Sequence, residues 1–318
     1  MVEADLSVVA IIGENMRYQP GIAGRLFQAL GKNGINCVAI AQGSSELNVS
    51  VVINKTDETK ALVALHEAFF LSDTRVLHIY MVGVGLIGST LLEQIQKQAK
   101  YLLEKQSIEI KVAGLSNSRR MLLDEKGIDL DRWKESLAES EDCEKAHLPN
   151  FVQKMQEMNL SNTIFVDNTA SEEVSTFYES ILESSISIST PNKIATSSSY
   201  LQYERLKTIA KKRGVRFLYE TNVGAGLPVI TTLNDLINRG DRILKIEVVL
   251  SGSLAFIFNS FQEGTRFSAI VREAKERGYT EPDPRTDLNG IDVRRKLIIL
   301  ARETGLKIDA GDVVIENV

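Results

Sequence analysis

Several residue types that mark particular classes of protein are scarce in this sequence of 318 residues. It contains two cysteines and three histidines. Cys37 and Cys143 stand far apart in different contexts, so no disulfide framework follows, and the scattered histidines have no zinc-binding spacing. This usage fits a reducing, cytoplasmic compartment.

Long apolar runs and an excess of basic residues are also missing. The longest apolar stretches, such as 79–88, have the length of a strand rather than the roughly 20 residues that span a bilayer. The acidic start of the sequence lacks a basic-then-apolar targeting pattern. The net charge is −5, from 37 basic and 42 acidic residues. We therefore expect neither a membrane nor a nucleic acid as a partner.

Residues 1–78 have the pattern of a small first domain. A buried strand at 8–12 is followed by a helix that begins near Pro20-Gly21 and ends near Asn33-Gly34, a natural helix breaker. Two more strands and an amphipathic helix at 57–70 complete a β-α-β-β-α order. This order is most of a ferredoxin-like unit.

From residue 79 onward, strands and helices alternate. This alternation predicts an α/β domain at 79–226, built on a parallel, doubly wound sheet of the Rossmann type. Within it, 121–140 is interpreted as irregular and then helical, and 172–184 as one helix. A third, α+β domain is expected at 227–318, with several helices and one alternating strand at 243–250.

The pattern G-x-G-x-x-G lies between the apolar strand at the start of the second domain and the next helix. It is formed by Gly83, Val84, Gly85, Leu86, Ile87 and Gly88. Gly83 permits a tight turn, Gly85 lets the backbone approach a pyrophosphate, and Gly88 lets the helix pack on the strand. The helix N-terminus then offers N–H groups to the phosphates. A structural glycine turn is the alternative, but the strand–loop–helix context favours a dinucleotide site.

The end of the next strand bears on which dinucleotide is bound. An NAD enzyme usually carries Asp or Glu there for the ribose 2′-hydroxyl, whereas residues 116–120 read Ser-Asn-Ser-Arg-Arg. Ser118 and Arg119 suit a 2′-phosphate, the arginine through a charge-assisted fork. The sequence therefore favours NADP(H), although a solvated loop is nearly as good an interpretation of the arginines.

Four further segments, in this order after the glycine loop, resemble homoserine dehydrogenases. They are 167–170, 190–193, 220–228 and 280–290, the last followed by Asp292 and Lys296. Residues 1–70, with the stretch Ala-Ile-Ala-Gln-Gly-Ser-Ser-Glu at 39–46, resemble the final ACT repeat of an aspartokinase. The whole is similar to the bifunctional aspartokinase/homoserine dehydrogenases, to their bacterial forms more than to the plastid ones.

This resemblance implies an NADP-dependent oxidoreductase of threonine and methionine biosynthesis, which interconverts L-aspartate 4-semialdehyde and L-homoserine. The family's kinase domain is absent, and its dehydrogenase part continues beyond residue 318, so the third domain, for substrate binding and dimerisation, is expected to be incomplete. A homo-oligomer is expected. The alternative is a catalytically incomplete fragment that binds ligands and oligomerises.

The resemblance also assigns roles to individual residues. Lys296 is implied as the proton donor, and Lys193 as a contact of both substrate and nicotinamide. Asp292, four residues before Lys296, orients that lysine or binds the substrate amino group, while Glu281 accepts a hydrogen bond from the substrate ammonium. A surface ion pair is the alternative for Asp292 and Lys296. Thr169, just past a strand end, contacts the cofactor or caps the following helix.

A monovalent cation site is implied by the glycine-rich segment 220–228. Its ligands would be oxygen atoms, which hard cations prefer: the carboxylate of Glu220 and the backbone carbonyls of Val223, Ala225 and Leu227. A hinge between domains explains the glycines of this segment without any ion.

An allosteric amino-acid site is implied in the ACT module. Gln42 and Asn36 are its candidate contacts, and threonine, the pathway product, is the effector that the resemblance suggests. Plain structural roles explain these two residues equally well.

Overall fold

The computed structural model describes residues 4–13, 16, 20–42, 48–69, 74–139, 143–280 and 283–315. The chain divides into two compact units: the first comprises Met1–Thr169, Thr176–Ser189 and Leu206–Leu218, and the second Ala170–Ser175, Thr190–Arg205 and Tyr219–Val318. None of the helices in the described ranges is long and apolar enough to cross a membrane.

The first unit opens with a three-stranded antiparallel sheet and two helices. In chain order these are β1 (Leu6–Ile12), α1 (Ile22–Lys32), β2 (Ala39–Gln42), β3 (Asn48–Asn54) and α2 (Glu58–Phe69). The strand order is β1-β3-β2. Alternate residues of β3 (Val49, Val51 and Ile53) are buried in one core with Leu26 and Leu30 of α1, as a strand with one covered face requires. The predicted β-α-β-β-α order is confirmed.

A seven-stranded sheet follows in the first unit. Its strands are β4 (Arg75–Val82), β5 (Ile108–Ser116), β6 (Arg120–Leu123), β7 (Glu144–Lys145), β8 (Thr163–Asp167), β9 (Ser187–Ser189) and β10 (Phe217–Leu218). The helices along this stretch are α3 (Leu86–Gln106), α4 (Trp133–Glu139), α5 (Leu148–Met158), α6 (Glu172–Thr176), α7 (Tyr178–Glu183), α8 (Ile194–Ser197) and α9 (Tyr200–Arg213).

The strand order of this sheet confirms the predicted doubly wound topology. The order is β10-β9-β8-β4-β5-β6-β7, parallel from β10 to β5 and antiparallel at β6 and β7. Because β5 lies on one side of β4 and β8 on the other, the chain changes direction at β4. Ligands of such sheets bind at this switch point, at the carboxyl ends of the strands. The glycine loop directly follows β4.

Two segments of the sheet region differ from the prediction. Residues 121–123, expected to be irregular, belong to β6, which pairs with the end of β5. Asn117 closes the turn between them, because its Oδ1 accepts hydrogen bonds from the backbone N–H of Arg119 at 2.7 Å and Arg120 at 2.8 Å. The helix predicted at 172–184 is divided into α6 and α7.

The remaining elements of the second unit are helical in the part that the structure describes. They are α10 (Val229–Asn238), α11 (Gly252–Ser260), α12 (Phe267–Glu276), α13 (Arg285–Leu288) and α14 (Ile291–Glu303). The strand predicted at 243–250 is not formed, since no described strand pairs with it and an extended backbone needs such a partner. Its Leu244 and Val249 are 87% and 79% exposed.

Candidate functional site

Two of the three glycines of the glycine loop are required by steric contacts within the chain. Gly83 has a left-handed φ of 89°, and a Cβ there would lie 2.8 Å from Cγ2 of Thr169 and 2.9 Å from the carbonyl carbon of Asn168. A Cβ on Gly88 would lie 2.1 Å from the carbonyl oxygen of Gly83. The loop after β4 is thus folded tightly onto itself and onto the residues that follow β8.

Gly85, by contrast, faces open space. Its φ of −71° suits any residue, and a Cβ there would meet no atom within 4 Å. Helix α3 begins at the next residue, and the N–H groups of its first turn have no partner within the helix. Leu86 and Ile87 are exposed, whereas Val84 packs on the core. A missing side chain beside a helix N-terminus is what a pyrophosphate needs for close approach.

Asn168 is a residue of this site that the sequence reasoning did not single out. Its Nδ2 is buried without a hydrogen-bond partner and would lie 3.3 Å from a Cβ on Gly88. The buried carboxylate of Asp167 fixes the turn, accepting bonds from Thr169 N at 2.7 Å and from the Tyr178 hydroxyl at 2.6 Å. A buried donor without a partner is costly, so Asn168 fits a group that accepts its hydrogen bond.

Thr169 lies at the same strand end. Its methyl group is the one that a Cβ on Gly83 would meet, so it contacts the glycine loop. Helix α6 begins three residues later, at Glu172, so Thr169 is not at the capping position that was its alternative role. The geometry therefore leaves the cofactor role as the better prediction for Thr169.

The tip of β5, where Ser118 and Arg119 lie, adjoins the glycine loop. Ser116 pairs with Val82, and its carbonyl accepts a hydrogen bond from Gly83 N at 2.8 Å. Asn117 is occupied in closing the turn. The side chains of Ser118 and Arg119 are exposed, and residues 116–120 include no carboxylate. The tip can offer a hydroxyl and a guanidinium to a negatively charged group.

The second unit brings Lys193 together with Asp292 and Lys296, two predicted residues that lie about a hundred positions later in the sequence. Asp292 and Lys296 are one turn apart on α14, and Lys193 directly precedes α8. The Asp292 carboxylate lies 3.3 Å from Nζ of Lys193 and 2.8 Å from Nζ of Lys296. Nζ of Lys296 also donates to the carbonyl of Leu250 at 2.6 Å. The pair is therefore not a simple surface ion pair of one helix.

The charges of this lysine–aspartate cluster (Lys193, Asp292 and Lys296) determine the state of its carboxylate. Burial raises the pKa of Asp292, but the hydrogen bond from Lys296 and the charges of both lysines outweigh it and leave the pKa below its ordinary value. Asp292 is therefore ionised at neutral pH. One carboxylate between two ammonium groups leaves an excess of positive charge, which suits a carboxylate or a developing oxyanion.

Two residues of the cluster, Asp292 and Lys296, line an open cavity of about 550 Å³ in the second unit, and Lys193 contacts it through Asp292. Asp292 and Lys296 line it together with residues that sequence reasoning missed: Ser251, Gly252, Ser253, Phe256, Tyr279 and Asp287. Ser253 donates to the Asp287 carboxylate at 2.8 Å and lies 2.9 Å from the hydroxyl of Ser251. Asp287 stands in the segment 280–290 that carried the resemblance, which is the signal that could have found it. Glu281, the predicted ammonium ligand, lies outside the described residues.

The predicted cation ligands occupy the loop before α10. Both oxygens of Glu220 accept hydrogen bonds from the first turn of α10, from Ile230 N and Thr231 N at 2.8 Å each. The Leu227 carbonyl accepts a bond from Val229 N at 2.9 Å. Glu220 thus caps this helix, a role that sequence reasoning did not assign. A carboxylate has about four lone-pair sites, so the cap leaves it further acceptor capacity.

The predicted effector contacts are both accessible. Asn36 lies in the connection after α1, and Gln42 is the last residue of β2; both are exposed. Elsewhere in the first unit, Asn159, which follows α5, contacts the start of α2: its Nδ2 donates to Asp57 at 2.8 Å and its Oδ1 accepts from Lys60 at 2.9 Å. Burial lowers the pKa of Lys60, and the charge of Asp57 opposes this.

Comparisons with known protein families match the chain in three places. A family described as ACT domain matches 9–69, one described as homoserine dehydrogenase, NAD binding domain, matches 83–220, and one described as homoserine dehydrogenase matches 228–318. The two dehydrogenase families together match more than half of the chain.

The alignments with similar proteins cover almost the whole of this chain. The chloroplastic bifunctional aspartokinase/homoserine dehydrogenase of Daucus carota is 46% identical over 98% of this chain and 34% of its own length. The bifunctional enzyme of Haemophilus influenzae is 42% identical over 99% of this chain and 38% of its own length. Between these two relatives the plant protein is the more similar, opposite to the order predicted from the motifs. The chain spans about a third of the length of these curated relatives.

The fold is similar to that of a solved homoserine dehydrogenase. A hyperthermophilic archaeal homoserine dehydrogenase in complex with NADPH superposes with a TM-score of 0.62 at 26% identity, covering 72% of this chain and 70% of that one.

Proposed function

We infer the function of this chain from one premise: it belongs to the bifunctional aspartokinase/homoserine dehydrogenase family. We propose that it is an NADP-dependent homoserine dehydrogenase that interconverts L-aspartate 4-semialdehyde and L-homoserine. The observation that carries this proposal is the cluster in which Asp292 contacts both Lys193 and Lys296, because Asp292 and Lys296 line one cavity. The three domains, at 1–78, 79–226 and 227–318, are part of the proposal.

The residues of the cluster would divide the work on the substrate. Lys296 would give a proton to the aldehyde oxygen as the carbon is reduced, and take it back in the reverse direction. Asp292, ionised between the lysines, would hold Lys296 in place and accept a hydrogen bond from the substrate amino group. Lys193 would hold the substrate and contact the nicotinamide. When bound, the reduced nicotinamide supplies the hydride.

The second carboxylate of the cavity supports an amino-acid substrate. Asp287 lies with Asp292 on the lining, so two carboxylates face one small cavity that also has a lysine. An α-ammonium needs anionic or carbonyl acceptors, whereas an α-carboxylate and an oxyanion need cations. Both requirements are met within one cavity, and Glu281 is proposed as a further ammonium ligand.

The preference for NADP(H) rests on the tip of β5. The exposed Ser118 and Arg119 beside the glycine loop, with no carboxylate at 116–120, support binding of a 2′-phosphate. The NADPH complex of the archaeal relative supports the same choice. Gly83–Gly88, Asn168 and Thr169 would hold the rest of the dinucleotide.

Three further assignments follow from the family. A monovalent cation would use Glu220 and the carbonyls of Val223, Ala225 and Leu227; the left-handed φ of 51° at Ala225 supports a specialised loop. The chain would act in the cytoplasm, whereas the carrot relative is chloroplastic. It would act as a homo-oligomer.

Threonine is proposed as the effector of the ACT module, with Asn36 and Gln42 as contacts. A ligand that binds only the folded state stabilises it by about 2.7 kcal/mol at a hundredfold excess over its Kd. The melting temperature of the chain should therefore rise with threonine and not with serine. No rise at saturating threonine would contradict effector binding.

The test of the main proposal is oxidation of NADPH with a series of aldehydes. We expect turnover with L-aspartate 4-semialdehyde and much less with succinate semialdehyde, which lacks the ammonium group. Equal rates would contradict the proposed role of the carboxylates. NADPH binding without any turnover would favour the alternative of a ligand-binding fragment.

A further inference from the structure

The guanidinium of Arg302, at the far end of α14 from Asp292, is fully buried. Its Nη1 donates to the carbonyl of Thr196 at 2.8 Å, and its Nη2 to the carbonyl of Ser198 at 2.6 Å. Nε donates to the Ile308 carbonyl at 3.2 Å, and Nη2 also lies 3.0 Å from the Asp309 carboxylate. Burying a charged group costs free energy unless its N–H donors form hydrogen bonds. The bonds of the Arg302 guanidinium therefore indicate a specific structural contact.

The electrostatics of Arg302 agree with this geometry. Burial lowers the pKa of the guanidinium, and the charge of Asp309 opposes this. Among the hydrogen-bonding partners named above, Asp309 carries a charge and the others are backbone carbonyls. A guanidinium with donors in a fixed fork can bridge two carbonyls of one helix end, which an ammonium cannot do in the same geometry.

Arg302 contacts the C-terminal end of α8, the short helix that begins directly after Lys193. The Lys193 carbonyl accepts hydrogen bonds from the N–H of Ser197 at 3.0 Å, its hydroxyl at 2.7 Å and the Thr196 hydroxyl at 3.0 Å. Thr196 therefore forms hydrogen bonds both with the backbone of Lys193 and with Arg302. A helix of four residues has little stability of its own, so this outside contact matters.

The same helix α14 carries the partner of the Lys193 side chain. Asp292 lies ten residues before Arg302, about 15 Å along a helix, and contacts the Lys193 amine at 3.3 Å. The segment of Lys193 is therefore attached to one rigid helix at two points. Lys296 needs no such attachment, because it shares α14 with Asp292.

We propose that Arg302 is a positioning residue that sets where the Lys193 amine lies relative to Asp292. It acts through α8 and touches no group of the cavity lining. The proposal rests on the proposed function for its catalytic consequence, but its structural part concerns Lys193 alone. It predicts an asymmetric effect: a change at Arg302 displaces Lys193 and leaves Lys296 in place.

The test measures the reactivity of the two lysines in the full chain. Arg302→Lys keeps the charge and loses the fork. Each variant is labelled by reductive methylation under native conditions, and the rates at Lys193 and Lys296 are read by mass spectrometry. We expect the Lys193 rate to rise about two- to fivefold, the range that an ion pair of this exposure is worth, and the Lys296 rate to stay within the error of the wild type.

Glu303→Gln is the matched control. Glu303 is the adjacent buried charge on α14, and its carboxylate accepts hydrogen bonds from Tyr203, Tyr219 and Asn234. A general loosening of the helix end would raise both lysine rates in both variants. Equal rises at Lys193 and Lys296, or no rise at Lys193, would overturn the proposal.

A second variant covers the case in which Arg302→Lys fails to fold. Thr196→Val removes the hydroxyl that bonds to the Lys193 carbonyl and should also raise labelling at Lys193 alone; an unchanged rate would overturn the proposal. In an active chain, Arg302→Lys should lower kcat more than it raises KM. Absence of turnover in the wild type would contradict the proposed function, while the labelling ratio would still decide the role of Arg302.

Discussion

At the glycine loop the backbone itself forms the site, whereas at the lysine–aspartate cluster three side chains from two distant stretches of the chain form it. Gly83 and Gly88 are required because a Cβ would collide with neighbouring backbone. Lys193, Asp292 and Lys296 depend on how α8 and α14 pack. The first site is therefore sensitive to a single added carbon, and the second to the tertiary contacts behind it. The two sites should fail in different ways.

The largest effect is expected at the cluster, from Lys296→Ala. Loss of a positioned proton donor lowers rates by about 10²–10⁴-fold, so kcat should fall by that factor. The Kd for NADPH should stay within about twofold, because the proton role matters mainly in the transition state. Steady-state kinetics and fluorescence titration measure both. Lys245→Ala, which removes an exposed lysine paired with Glu247, is the control, and wild-type kcat in Lys296→Ala would contradict the assignment.

Substitutions at Gly88 and Gly85 should distinguish an effect on folding from an effect on cofactor binding. Gly88→Ala should destabilise the chain by about 1–3 kcal/mol, as overpacking does, and also weaken NADPH binding. Gly85→Ala meets no atom of the chain, so its melting temperature should match the wild type while its Kd for NADPH rises about tenfold or more. Thermal melts and cofactor titrations on both variants test this. Unchanged affinity in Gly85→Ala would rule out a close approach of the pyrophosphate there.

A smaller effect is expected at the tip of β5. Hydrogen bonds to charged groups contribute about 1.5–3 kcal/mol, so Arg119→Ala should raise the Kd for NADPH by roughly tenfold or more. The Kd for NADH, which has no 2′-phosphate, should not change. Arg132→Ala, an exposed arginine of the same unit paired with Glu135, provides the control. An equal loss of affinity for NADPH and for NADH would contradict the assignment of Arg119 to the 2′-phosphate.

The smallest effect concerns the pH dependence of stability at the cluster. The folded-state pKa of Asp292 is lowered, since the two lysines outweigh burial. Its stabilising contribution is therefore full above the unfolded pKa of about 4 and is lost as pH falls toward the lowered value. The wild type should be more stable than Asp292→Asn near neutral pH, by about 0.2–1 kcal/mol, and this advantage should shrink in acid. Thermal melts of both proteins from neutral to acidic pH measure this difference in stability, with Asp241→Asn as the control. A difference that stayed constant over this pH range would contradict the prediction.

The difference between the two sites also explains how much the sequence could predict. The glycine loop, its flanking strand and the first β-α-β-β-α unit follow local patterns, and the structure confirms the fold they predicted. Asn168 was missed because its significance lies in a buried donor that has no sequence pattern. Arg302 was missed because the two carbonyls of α8 that it contacts, those of Thr196 and Ser198, lie about a hundred residues away.

The wrong predictions arose where tertiary pairing decides the structure. Residues 121–123 become a strand only because Asn117 turns the chain back onto β5. The alternation at 243–250 predicts a strand, but no described strand pairs with it. Ser253 and Asp287 carry no periodic signal, and only the folded cavity brings them beside Asp292 and Lys296.

The most direct test of the central claim follows the transferred hydrogen. The full chain is incubated with L-aspartate 4-semialdehyde and NADPH that carries deuterium at C4 of the nicotinamide, on the transferred face, and the product is analysed by mass spectrometry. The account predicts homoserine with one deuterium on the hydroxyl-bearing carbon in the wild type and a severe loss of this product in Lys296→Ala. A folded wild-type chain that binds NADPH but forms no deuterated homoserine would contradict it.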